Sequence, residues 1–230
     1  MKTVPLHRST TMEESETVSR RYDCAEPDQR AMGLREAAST IRRGDLIVLP
    51  TDTVYGIGAD AFSSSGIGAL LAAKGRGRDM PVPVLVGSPS TLHGLVSKFP
   101  ENGWDLVDAF WPGALTIIAR HQPSLQWDLG DARGTVALRM PLHPVAIELL
   151  VQTGPLGVSS ANKSGHPPAT SASAAQDQLG TSVDVYLDGG STVDPLPSTI
   201  VDLTGEAPRL LREGALTFEE IAKVAANLTR

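Results

Sequence analysis

Cysteine is almost missing from this chain: Cys24 is the only one in 230 residues. A lone thiol excludes a disulfide framework and a cysteine-based zinc site, and it fits a reducing compartment. Aromatic residues make up only 4% of the chain, which leaves few platforms for stacking single-stranded nucleic acid. Long hydrophobic runs are missing as well. Leu46 to Leu49 is among the longest aliphatic stretches, far short of a bilayer span. The opening MKTVPLHRST carries no apolar core of the secretory kind. A cytoplasmic protein without a membrane partner is therefore expected. An excess of positive charge is absent too, since the formal net charge is −6. That balance speaks against a broad nucleic-acid surface and leaves room for a local basic site.

Familiar catalytic signatures are also lacking. The chain holds no GxxxxGKS/T loop, no GxSxG elbow and no HExxH helix. His7, His93, His121, His143 and His166 show no metal-ligand spacing. Hydrolase and structural-zinc readings lose their support.

What is present is an ordinary globular composition, 41% hydrophobic and 20% charged, rich in turns through 22 glycines and 17 prolines. Residues 1–27 are polar and aperiodic and are expected to form a flexible tail, with residues 28–230 a single domain. Helical spacing predicts helices over 28–43, 63–74, 88–99, 104–111, 143–152 and 171–179. A last helix opens on the capping box Thr217–Glu220 and is expected to reach Asn227. Short apolar runs predict strands at 46–50, 82–86, 115–119, 135–140, 156–159, 183–187, 199–203 and 209–211. Strands and helices mix along the whole length without strict alternation. The expected fold class is α/β with a mixed sheet.

Five polar segments could carry chemistry. Pro50 to Asp60 follows a strand, where α/β folds bind ligands, and alternation points Thr51, Thr53 and Tyr55 the same way. A polar turn satisfying its own backbone is an equal reading. Lys74, Arg76 and Arg78 are separated by flexible glycines and suit an anion. By composition alone, a solvated basic turn at a helix C-terminus is the better reading. Arg139 ends an apolar strand beside Thr135 on the same face. It is either a carboxylate or phosphate clamp or half of an internal salt bridge. Val158 to Gly165 offers Ser160 and Asn162 after another strand, in what is also a common turn. Ser198 and Arg212 are weak signals taken singly.

In order, the segments LPTDTVYGIGADA (49–61), KGRGRDMPVPVLV (74–86), WPGALTI (111–117), TVALRMPLHPVA (135–146), SSANKSG (159–165), DGG (188–190), STIVDLT (198–204) and LLREG (210–214) carry a resemblance. Together they resemble the YrdC-type family of threonylcarbamoyl-AMP synthases in its short form. The resemblance implies a twisted mixed sheet flanked by helices, with an open concave cleft lined by positive charge. It implies that L-threonine, bicarbonate and ATP, with Mg²⁺, give threonylcarbamoyl-AMP and pyrophosphate. Downstream transfer proteins then modify the tRNA adenosine beside the anticodon, and weak direct RNA binding is a further implication.

Matched residue by residue, the resemblance gives Lys74 and Arg76 the ATP phosphates and the catalytic role. It puts Thr135, Ser160, Asn162 and Arg212 around the nucleotide, and Thr53, Arg139, Ser198 and the Val158 backbone around threonine. The chain departs from the family's usual residues at Gly77, Met80, Leu85, Pro168 and Pro197. Two other functions stand beside this one: an RNA-binding module of ribosome maturation, and a carbamoyltransferase-type domain.

Overall fold

The computed structural model describes residues 19–192 and 195–230. Helix ends are set by residues close by in the chain. Gly44 and Gly75 take left-handed φ values of 87° and 62° and close the first two helices. The side chains of Ser63 and Ser171 accept the amides of Gly66 and Ala174 and start the second of these helices and a later one.

The elements run β1 (Arg20–Asp23), α1 (Pro27–Arg43), β2 (Ile47–Leu49), β3 (Gly56–Asp60), α2 (Ser64–Lys74) and β4 (Val84–Leu85). After a 3₁₀ turn come α3 (Leu92–Leu95), β5 (Val96–Lys98), α4 (Glu101–Phe110), β6 (Leu115–His121), β7 (Thr135–Arg139) and α5 (Pro144–Thr153). The chain ends with β8 (Leu156–Ser160), α6 (Ala172–Leu179), β9 (Val185–Asp188), β10 (Thr199–Asp202), β11 (Arg209–Arg212) and α7 (Phe218–Ala222).

All the strands join one sheet in the order β1-β9-β2-β3-β8-β4-β7-β6-β10-β11, with β5 on the side of β6. It is mixed, as expected: β4 runs parallel to β7 and β6 to β10, while β3 is antiparallel to both β2 and β8. Helices α2, α3, α4, α6 and α7 bury the larger core against one face. On the other face α1 and α5 cover β2, β4, β8 and β9, and that second core takes no residue from β6, β7, β10 or β11. Over these uncovered strands Thr135, Ala137, Ile118 and Ile200 stay only half-buried. Thr135 and Arg139 lie in one of these strands, Arg212 ends another, and Ser198 directly precedes a third.

Four expectations need correction. Residues 1–18 of the expected tail lie outside the described residues, but Arg20–Asp23 is an edge strand parallel to β9. Its charged sequence suits a sheet edge, and Tyr22 packs on the second core. The helix expected over 88–99 breaks into a 3₁₀ turn, the short α3 and β5, because Val96 pairs with His121 of β6. Strand β3 went unpredicted because Gly56 and Gly58 spoil its β propensity. Gly56 is needed there: a Cβ on it would meet Val158 Cγ1 at 2.5 Å. The last helix stops at Ala222 rather than Asn227, and the amide of Thr229 bonds back to the Pro208 carbonyl at 2.9 Å.

Candidate functional site

The register Gly56–Ser160 sets the end of β8 beside the segment that enters β3. The Ala161 amide then donates to the Tyr55 carbonyl at 2.8 Å, joining residues 50–55 to residues 160–162. Two groups of cations sit at this rim.

The first group lies at the C-terminus of α2. Lys74 is only 3% exposed. Its ammonium donates to the Ser160 carbonyl and, at 2.7 Å, to the Asn162 carbonyl. The Ser164 amide donates to the Lys74 carbonyl at 2.8 Å, so α2 and the 160–164 loop are stitched together. Burial, with the Arg76 charge beside it, pulls the Lys74 ammonium down to about 8. Arg76 Nη1 donates to Ser159 Oγ at 3.1 Å, while its buried Nε has no partner. Burial lowers the pKa of Arg76 as well. Asn162 spends its amide hydrogens on the carbonyls of Lys163 and His166 at 2.9 and 2.8 Å. Its buried Oδ1 stays unpartnered. Arg78 parts company with these cations: it is exposed and grips Asp128 with two bonds of 2.6 and 3.1 Å. The solvated reading therefore fits Arg78 and fails for Lys74.

The second group gathers on the open part of the sheet. Arg139, 7% exposed at the end of β7, donates from Nε to the Gly113 carbonyl at 2.9 Å and from Nη1 to Thr53 Oγ1 at 2.8 Å. Its Nη2 donates to Asp52 Oδ1 at 2.7 Å. The internal salt bridge allowed by the sequence thus exists. Arg212, leaving β11, donates to the Ser198 carbonyl from Nη2 at 2.7 Å and from Nε at 3.1 Å. Ser198 Oγ shares a 2.7 Å hydrogen bond with Thr116 of β6. Burial lowers the pKa of Arg212, and the nearby Arg139 charge lowers it further.

The remaining expected residues are less engaged. Ser160 contributes its carbonyl to Lys74. Thr135 starts the strand that Arg139 ends, about 13 Å away at the usual strand rise, and its hydroxyl donates to the Ala132 carbonyl at 2.7 Å. The Val158 amide is committed to the Pro83 carbonyl at 2.8 Å.

Sequence reasoning missed Asp52, Thr116 and Ser159, and it flagged Tyr55 without the role of its hydroxyl. Asp52 was hidden because alternation favoured its neighbours. Thr116 shares its sheet face with Ile118, a period-two signal that could have found it. Ser159 is visible only once α2 and β8 meet. The Tyr55 hydroxyl accepts from the Gly189 amide at 3.0 Å and donates to the Gly190 carbonyl, so it braces the DGG turn.

Similarity to known proteins runs through these same segments. The Sua5/YciO/YrdC family model, described as "Telomere recombination", matches residues 39–214. A Mycobacterium tuberculosis protein provisionally named a threonylcarbamoyl-AMP synthase is 61% identical over 203 residues, 88% of this chain and 94% of that one. The threonylcarbamoyl-AMP synthase of Pyrococcus abyssi is 37% identical over 196 residues, 85% of this chain and 58% of the relative. The solved P. abyssi Sua5 complexed with L-threonine superposes with a TM-score of 0.86 at 34% identity, over 93% of this chain and 62% of that one. The chain thus spans nearly all of the mycobacterial relative and about three-fifths of the archaeal one. With a matched region that runs from α1 to the turn after Arg212, this chain belongs to the Sua5/YciO/YrdC family.

Proposed function

We propose that the chain condenses L-threonine, bicarbonate or CO₂, and ATP into threonylcarbamoyl-AMP and pyrophosphate. The observation that carries the reading is the pair of cation groups at one rim of the sheet, each built around a buried member, Lys74 or Arg139. One consists of Lys74 and Arg76 and suits a polyphosphate. The other centres on Arg139, held by Thr53 and Asp52, and suits a carboxylate, with Arg212 close by on the nucleotide side. The names of the mycobacterial and archaeal relatives, and the threonine bound by P. abyssi Sua5, support it.

In this proposal the threonine carboxylate docks on Arg139, with Thr53 and Ser198 beside it. The threonine amine takes up CO₂, loses a proton and becomes an N-carboxylate. One oxygen of that carboxylate attacks the α-phosphorus of ATP, and the bond to the β-phosphate oxygen breaks, releasing pyrophosphate. Lys74 keeps one ammonium hydrogen beyond its two carbonyl bonds, available to a phosphate oxygen. Arg76 offers further donors toward the leaving charge. Catalysis then rests on positioning and electrostatics, without a protein nucleophile. Thr135, Ser160, Asn162 and Arg212 complete the proposed nucleotide contacts.

No group of three or more His, Cys, Asp or Glu side chains stands ready for a metal among the described residues. Mg²⁺ therefore enters the proposal as part of the substrate, MgATP, held by phosphate and water oxygens. No step is assigned to a protein-bound metal. Residues 19–230 would act as one catalytic unit, β1 included. No helix among the described residues is long and apolar enough to cross a membrane. A cytoplasmic site of action fits, with tRNA-modifying transfer proteins taking the product.

The test is product analysis with MgATP, L-threonine and labelled bicarbonate. Labelled threonylcarbamoyl-AMP and equimolar pyrophosphate are expected. Folded protein that yields neither overturns the proposal.

A further inference from the structure

Asp52 sits between Thr51 and Thr53, and unlike them it is only partly buried. Its Oδ1 accepts two hydrogen bonds, from Arg139 Nη2 at 2.7 Å and from the Leu142 amide at 2.8 Å. The carboxylate therefore ties the end of β7 to the loop that enters α5.

A guanidinium carries five N–H donors in a rigid plane. Three of those on Arg139 are spent inside the protein, on Gly113, Thr53 and Asp52. Asp52 and Thr53 come from one turn and Gly113 from another, and together they fix the plane. One hydrogen on each terminal nitrogen has no protein partner among the described residues. Two parallel or convergent donors are what a carboxylate needs.

Charge agrees with geometry. Arg139 and Arg212 are close enough to repel one another. Among the described residues Asp52 is the only acid in an ion pair with either. Asp52 thus offsets part of the positive charge at this end of β7 and leaves both free N–H donors of Arg139 unspent.

We propose that Asp52 is a positioning residue for the substrate carboxylate: it orients Arg139, so that the two free N–H groups meet that carboxylate. The inference rests on the proposed role of Arg139 toward threonine. Asp52 itself touches no substrate in this scheme.

The test is calorimetric titration of L-threonine, and separately of a non-hydrolysable ATP analogue, into wild type, Asp52→Glu, Asp52→Ala and Asp52→Asn. Circular dichroism first establishes that each is folded. Asp52→Glu keeps the charge but displaces the carboxylate by one methylene. Loss of one well-placed charge-assisted hydrogen bond should weaken threonine binding about tenfold or more, with the ATP analogue within about twofold. Asp52→Ala should show the same selective loss and serves if the glutamate variant does not fold. Asp52→Asn preserves the acceptor oxygen, so its threonine affinity should stay within about threefold of wild type.

Unchanged threonine affinity in the folded glutamate or alanine variant overturns the proposal. Parallel losses for both ligands also overturn it, because they mark a general structural defect. An asparagine variant as weak as alanine overturns it as well, by showing that charge rather than position matters. Wild type that binds no threonine removes the role of Arg139 and this inference with it, a result distinguishable before any variant is made.

Discussion

Raising the pH through 8 should release a polyphosphate from this protein while the fold holds. The perturbed group is Lys74, whose ammonium is walled in by the Ser160 and Asn162 carbonyls and pushed down to about 8 by burial and by Arg76. An ammonium with that pKa is about nine-tenths charged at pH 7 and about one-tenth charged at pH 9. If its charge holds the phosphates, the Kd of a non-hydrolysable ATP analogue stays flat below pH 7 and rises toward tenfold per unit above pH 8. Binding, rather than turnover, is the assay, because the threonine amine also titrates in this range. Stability moves the opposite way. Between about 8 and the ordinary lysine value of 10.5 the unfolded chain holds more protons at this lysine than the folded one. The Lys74 contribution to stability therefore rises with pH across that window. Lys74→Arg keeps its charge throughout and should remove the alkaline limb. Wild-type affinity that is flat to pH 9.5, or an equal limb in Lys74→Arg, refutes the reasoning.

Three further outcomes are expected. Arg76→Ala should lower threonine- and bicarbonate-dependent pyrophosphate release by about a hundredfold or more with an unchanged melting temperature, since only Ser159 Oγ loses a partner. Gly214→Ala should destabilise by about 1–3 kcal/mol in urea melts, because a Cβ there would collide with the Pro197 carbonyl and lie 2.7 Å from the Ser198 carbonyl carbon. The same variant should weaken the Arg212–Ser198 contact and with it ligand affinity. Thr217→Ala removes the capping box of α7 and should cost about 1 kcal/mol without changing catalysis, since its partner is the exposed Glu220.

How much could be read in advance differed from residue to residue. The helix ends at Gly44 and Gly75 and the caps at Ser63, Ser171 and Thr217 were legible, because each acts through its own few neighbours. Strand β3 was not, because two glycines weaken it locally, and one of them, Gly56, is demanded by Val158 of another strand. Strand β1 was not, because RRYD becomes a strand only when β9 supplies the parallel ladder. Arg139 was flagged with two readings, clamp or salt bridge. The fold realises the salt bridge and still leaves donors on the same guanidinium, so the readings were never exclusive.

From the sequence by itself came the α/β class, the absence of disulfides and of a cysteine-based zinc site, and an ordered set of motifs specific enough to resemble one family. Those properties follow from composition and from short-range spacing. Tertiary structure decided how each cation is held. Lys74, Arg76 and Arg78 stand two residues apart and look alike in the chain, yet one is enclosed by carbonyls, one lies half-buried against Ser159, and one is neutralised by Asp128 in solvent. The physical reason is that desolvation and partner charge, which set a cation's pKa and reach, come from residues about 50 to 90 positions away along the chain.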